Sequence, residues 1–81
     1  MIDKETYLNL KKEIKSICRQ NVIKLCDDME LTKEERTLLM RFYDDDSRLS
    51  TCMKLSISEF YYTRHLKMIF NKINDYKNTL K

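Results

Sequence analysis

Between Phe60 and Asn71 the chain sets aromatic, hydroxyl, guanidinium, ammonium and amide side chains close together: Phe60, Tyr61, Thr63, Arg64, Lys67 and Asn71. Such groups read and hold nucleic acid. A guanidinium takes guanine bidentately, a ring or methyl group meets the thymine methyl, and ammonium and amide groups hold phosphate. Tyr62, Leu66, Ile69, Ile73, Tyr76 and Leu80 recur in the same region at spacings of three and four, which defines one apolar helix face. Phe60, Arg64, Lys67 and Asn71 fall on the opposite face, with Thr63 beside them and Tyr61 nearer the edge. The N-terminal residues of a helix seated in the major groove reach base edges, and those further along meet phosphate. Phe60, Tyr61, Thr63 and Arg64 are therefore expected near bases, and Lys67 and Asn71 near phosphates. Phe60 and Tyr61 carry a second reading as protein contacts, because adjacent exposed aromatics mark either kind of interface. His65, toward the edge of this face, reads as an ordinary exposed residue.

Other chemistries find little to work with. The chain has no glycine and no proline, which argues against phosphate-cradling loops, dinucleotide folds and turn-rich β architecture. His65 is the single histidine, and Cys18, Cys26 and Cys52 form no Cys-x-x-Cys pair, so no metal site and no cofactor are expected. Asp44, Asp45 and Asp46 are adjacent, but the glycine-containing calcium loop is missing. A solvated turn is expected there, with Asp46 or Ser47 capping the next helix. Nothing resembles a catalytic constellation, and no enzyme is expected. Each cysteine stands where a small apolar residue would fit. An odd count without a signal-peptide pattern points to the reducing cytoplasm, and no apolar run approaches membrane-spanning length.

The elements that must position these groups read as an all-α bundle of about four helices, roughly 3–28, 33–43, 48–54 and 59–80. The chain has 81 residues, room for one domain, which at this size buries only about 60–65% of its unfolded surface. Asp3 is a fitting N-cap for the first helix. The apolar residues of that segment spread over about half of its circumference, wider than one packing face needs. Two explanations stand: a continuous helix that also packs against a second subunit, or a break near Gln20-Asn21. Thr32 and Glu35 form a capping box that opens the second helix, with Leu38, Leu39 and Phe42 facing inward. A short third helix begins at Ser47-Arg48, both further candidates for phosphate contact, and offers Leu49, Cys52 and Met53 to the core. Leu55-Ser56-Ile57 is the turn. Ser58 is the N-cap of the long last helix and belongs to the expected DNA surface. Residues 54–81 carry a net charge of +4, residues 30–53 carry −2 and residues 1–29 carry +1, within a total of +3. Positive charge thus gathers on the last helix.

Residues 31–73 resemble the helix-turn-helix of region four of bacterial primary-type sigma factors. The resemblance runs through "LTKEERTLLMRFY", then "LSIS", then "EFYYTRHLKMIFNKI". Tyr61-Tyr62 followed by Lys67 and Lys72 is also similar to small phage late-gene transcription regulators of the ArpU type. Ser56 stands where sigma-like sequences usually carry glycine, and Thr51-Cys52 where they carry isoleucine-alanine. The resemblance implies a small transcription regulator, phage-encoded or from another mobile element, that binds double-stranded DNA; the wide apolar arc of the first helix adds the expectation of a homodimer formed through that helix. The alternative is a protein-interaction module on the same scaffold that binds RNA polymerase or another regulator without reading DNA.

Overall fold

The computed structural model describes residues 2–79, and they form five helices: α1 (Lys4–Ser16), α2 (Arg19–Asp28), α3 (Lys33–Tyr43), α4 (Arg48–Leu55) and α5 (Glu59–Thr79). The protein is all-α, and no strand occurs among the described residues. The expected end of α5 at Leu80 lies outside them.

Starts and stops follow the polar side chains. Asp3 accepts the Thr6 N–H at 2.8 Å. Thr32 and Glu35 cap α3 reciprocally, with the Thr32 N–H donating to Glu35 at 3.0 Å and the Glu35 N–H donating to Thr32 Oγ1 at 3.2 Å. Ser47, not Asp46, caps α4 by accepting the Ser50 N–H at 3.0 Å. With no glycine to end a helix, other residues take the left-handed conformation: Glu30 (φ 54), Asp45 (φ 63) and Ser56 (φ 56). Each is followed by a residue whose N–H closes back onto the helix. Leu31 donates to Cys26, Asp46 to Arg41 and Ile57 to Cys52, the hydrogen bond that satisfies an orphan carbonyl at a helix end.

The first expected helix is two. The chain is extended at Ile17 (φ −95, ψ 157) and at Cys18 (φ −72, ψ 155), so the break falls just ahead of Gln20-Asn21. The Ser16 hydroxyl turns back onto the Glu13 carbonyl at 2.6 Å, a local bond that competes with helix continuation. The Tyr43 hydroxyl donates to the Ile17 carbonyl at 2.5 Å, so α3 holds the break open from across the fold. Each half then buries its own residues: Leu10 and Ile14 on α1, Val22 and Cys26 on α2. The wide apolar arc is thereby divided between two packing faces, while Leu8 on α1 and Ile23 on α2 stay 45% and 37% exposed.

The core joins these residues to Leu31, Leu38, Leu39, Cys52, Tyr62, Leu66, Ile69, Phe70 and Ile73. Phe70, absent from the expected core face of α5, is completely buried. Its ring stacks on Tyr7 and meets Phe42 edge-on, with both centroids at 5.5 Å. One aromatic thus ties α1, α3 and α5 together.

The short helix α4 is rotated from its expected orientation. It buries Thr51 and Cys52 and leaves Leu49 61% and Met53 73% exposed. α4 packs on α3 and α5 with Thr51 and Cys52 on its inner side, whereas Leu49 and Met53 fall on the flank of the wheel away from it.

Candidate nucleic-acid interface

The turn between α4 and α5 sets the site. Ser56, left-handed, and Ile57 both donate their N–H groups to the Cys52 carbonyl. Ile57 reaches in toward the core while the flanking serines stay outside. The Ser58 hydroxyl accepts the Tyr61 N–H at 3.0 Å and caps α5, and the Cys52 thiol lies 3.6 Å from the Ser58 carbonyl. Burial raises the pKa of Cys52 and of Cys26 above that of an ordinary thiol, so both act as small neutral packing groups. Cys18, expected to be buried, is exposed at the start of α2.

The residues expected to touch DNA divide into three groups. Phe60, Arg64 and Lys67 are exposed. Phe60 is 75% open to solvent at the start of α5, and neither Arg64 nor Lys67 is engaged in an ion pair among the described residues. Ser47, Arg48 and Ser58 have structural duties. The two serines cap helices, and Arg48 pairs with Glu59 at 3.3 Å, joining the N-terminal ends of α4 and α5. That pair is exposed on both sides and is worth less than about 1 kcal/mol, a small loss if Arg48 turns to a phosphate. Tyr61, Thr63 and Asn71 are half-buried. Tyr61 faces α3 and lines a groove with Lys33, Glu34, Thr37, Leu38, Leu55 and Ile57. It stacks on His65 with centroids 3.9 Å apart, so His65 is a half-buried packing partner and not the ordinary exposed residue expected.

The acidic turn beside this surface is neutralised. Asp44 pairs with Arg19 and Asp45 with Lys15. Asp46 receives Arg41 at 2.9 Å and Lys54 at 3.4 Å. The Arg41 hydrogen bond, then Ser50 and the Lys54 charge, hold the Asp46 carboxyl below its ordinary pKa. Three carboxylates that would repel a duplex therefore face cations of the chain's own. No cluster of histidine, cysteine and carboxylate side chains suited to a metal ion occurs among the described residues.

Lysines of α1, outside the sequence-expected surface, extend the basic face of the last helix. Lys67 and Lys11 place their Nζ atoms 6.0 and 5.1 Å from the centroid of one ring, that of Tyr7. Lys11 and Lys15 lie over Phe42 at 5.4 and 4.8 Å. The basic face of α5 thus runs onto α1. The signal was present in the spacing, since Lys4, Leu8, Lys11 and Lys15 recur at four, three and four, but nothing in the sequence says that this flank borders Lys67.

Comparison with protein-family models, with curated proteins and with solved structures finds no match to this chain.

Proposed function

We propose that the protein is a small DNA-binding regulator of transcription, acting in the cytoplasm, whose α5 enters the major groove. The observation that carries this reading is the exposed pair Arg64 and Lys67, neither in an ion pair among the described residues. They sit on the outer face of a long helix whose start is held by the Ser56-Ile57-Ser58 turn, with Phe60 ahead of them. Arg64 is assigned to a base edge, Phe60 to a thymine methyl and Lys67 to a phosphate. A helix, a short turn and a second helix packed against the first is the arrangement this use requires. Two chains related by a two-fold axis would present their α5 helices about 34 Å apart, matching one turn of DNA.

The test is fluorescence anisotropy of the protein with random-sequence duplex across a salt series. Affinity that falls steeply with salt is expected, from release of counterions at neutralised phosphates. Arg64→Ala with Lys67→Ala should lower affinity at least tenfold while leaving the helical circular dichroism unchanged. Unaltered binding by that variant would remove the assignment.

A second reading rests on a different observation. Leu49, Met53 and Phe60 are all more than 60% exposed, and the Arg48–Glu59 ion pair links the helix ends that bear Leu49 and Phe60. Exposed apolar groups around a neutral ion pair suit a protein surface better than phosphate. In this reading the domain docks on RNA polymerase or another regulator. Absence of duplex binding at low salt, together with capture of RNA polymerase, would select it.

A further inference from the structure

The lysine flank of α1 is the strongest feature not used by α5 itself. Among the described residues Lys11 and Lys12 engage in no ion pair, although such pairs form widely elsewhere among them. Lys11, Lys12, Lys15 and Ser16 line a shallow depression floored by Phe42. Two neighbouring carboxylates are already committed, Glu13 to Lys77 and Asp45 to Lys15. Lys11 is held in place by the Tyr7 and Phe42 rings, and the Tyr7 ring is shared with Lys67 of α5. A cation held over aromatic rings is positioned but not neutralised.

We propose that this flank is a second phosphate-contact surface, which grips the backbone of the same duplex whose groove receives α5. The partner is double-stranded DNA, and the contact is independent of its sequence. The proposal rests on the reading of α5 given above. Charge complementarity supports it, because the positive strip from Arg64 and Lys67 continues through Lys11 to Lys12. Scale supports it too. Lys11 and Lys67 share the Tyr7 ring, at 5.1 and 6.0 Å from its centroid, so the two surfaces adjoin and one turn of B-DNA, about 34 Å, is long enough to meet both. Backbone contacts of this kind fix the register and orientation of a reading helix.

The experiment measures duplex affinity against salt for the wild-type chain and for four variants: Lys12→Ala, Lys11→Ala with Lys12→Ala, Lys11→Arg with Lys12→Arg, and Lys24→Ala on α2. Each neutralised phosphate contributes about 0.9 to the slope of log affinity against log salt. The double alanine variant should lose about two from that slope and bind several-fold to tenfold more weakly, equally on random and selected duplexes. Lys12→Ala, which removes no cation–π contact, should lose about one. The double arginine variant should keep the slope, and Lys24→Ala should match wild type. The proposal is overturned if the α1 alanine variants keep the wild-type slope while Arg64→Ala with Lys67→Ala reduces it; α5 then binds alone and the function above stands. An equal loss for Lys24→Ala also overturns it, since any surface lysine would then serve. No duplex binding by the wild-type chain at low salt sinks both this proposal and the function on which it rests.

Discussion

Thr51 is completely buried, and its hydroxyl oxygen has no hydrogen-bond partner. No bond back to the preceding turn satisfies it. A buried, unsatisfied hydroxyl costs about 1–3 kcal/mol. Valine has nearly the same shape without that group, so Thr51→Val should stabilise the fold by about 1 kcal/mol. In a chain of this length that corresponds to a rise of roughly 4–8 °C in Tm, read by thermal circular dichroism. An unchanged or lower Tm would mean that the hydroxyl is satisfied in solution. DNA affinity should not change, because Thr51 faces the core and not the exposed side of α5.

At the scale of the elements, the three left-handed helix ends carry strain that glycine would relieve. A residue with a Cβ costs roughly 1–2 kcal/mol in that conformation, partly offset by the larger unfolded-state entropy of glycine. Glu30→Gly and Ser56→Gly should each stabilise by about 0.5–1 kcal/mol. The two should add, because they end different helices, and a double variant in urea denaturation checks this. Ser56 is the more informative site, since it lies in the turn that orients α5. If Ser56→Gly stabilised the fold but weakened duplex binding, the turn would be set for rigidity and not only for backbone permission. The break between α1 and α2 belongs to the same scale. Neither proline nor glycine marks it, and it depends on Tyr43 from α3.

Across the whole molecule, ion pairs stitch the helices at their ends. Glu35 does two jobs: it caps α3 and receives Lys72 from α5. Burial pushes its carboxyl pKa up, but the hydrogen bonds from Lys72 and Thr32 outweigh that and leave it below the ordinary value. Asp46 and Asp3 are lowered as well, by Arg41 and by Thr6. A lowered folded-state pKa means that the unfolded chain binds protons first as pH falls. Stability from these groups is therefore fully present at neutral pH. It is lost on acidification, beginning near the ordinary carboxylate value of roughly 4. Melting temperatures from pH 7 down to pH 3 should show a plateau and then a fall. Glu35→Gln should lower the plateau and flatten the fall. A uniform slope from pH 7 would contradict this assignment.

Much of the architecture was legible in residue order. The Thr32–Glu35 capping box, the Ser47 and Ser58 caps and the Asp3 start act within one helical turn, and the apolar stripe Tyr62–Leu66–Ile69–Ile73 recurs at steps of three and four residues along one helix. Local hydrogen bonding and periodicity therefore specify them. The all-α class follows from the same features. What only the tertiary structure decided involves partners distant in the chain. Tyr43 reaches back to Ile17 and holds the helix break. Phe70 is drawn inward because Tyr7 and Phe42 close around it. The packing of α4 on α3 and α5 buries Thr51 and leaves Leu49 and Met53 outside. The Asp44–Asp46 run is neutral only because α1, α2, α3 and α4 each bring a cation to it. The basic surface is divided in the same way. Arg64 and Lys67 could be read from one helix wheel, whereas their continuity with Lys11 exists only where α1 packs on α5, since periodicity assigns a residue to a face but not a face to its neighbour.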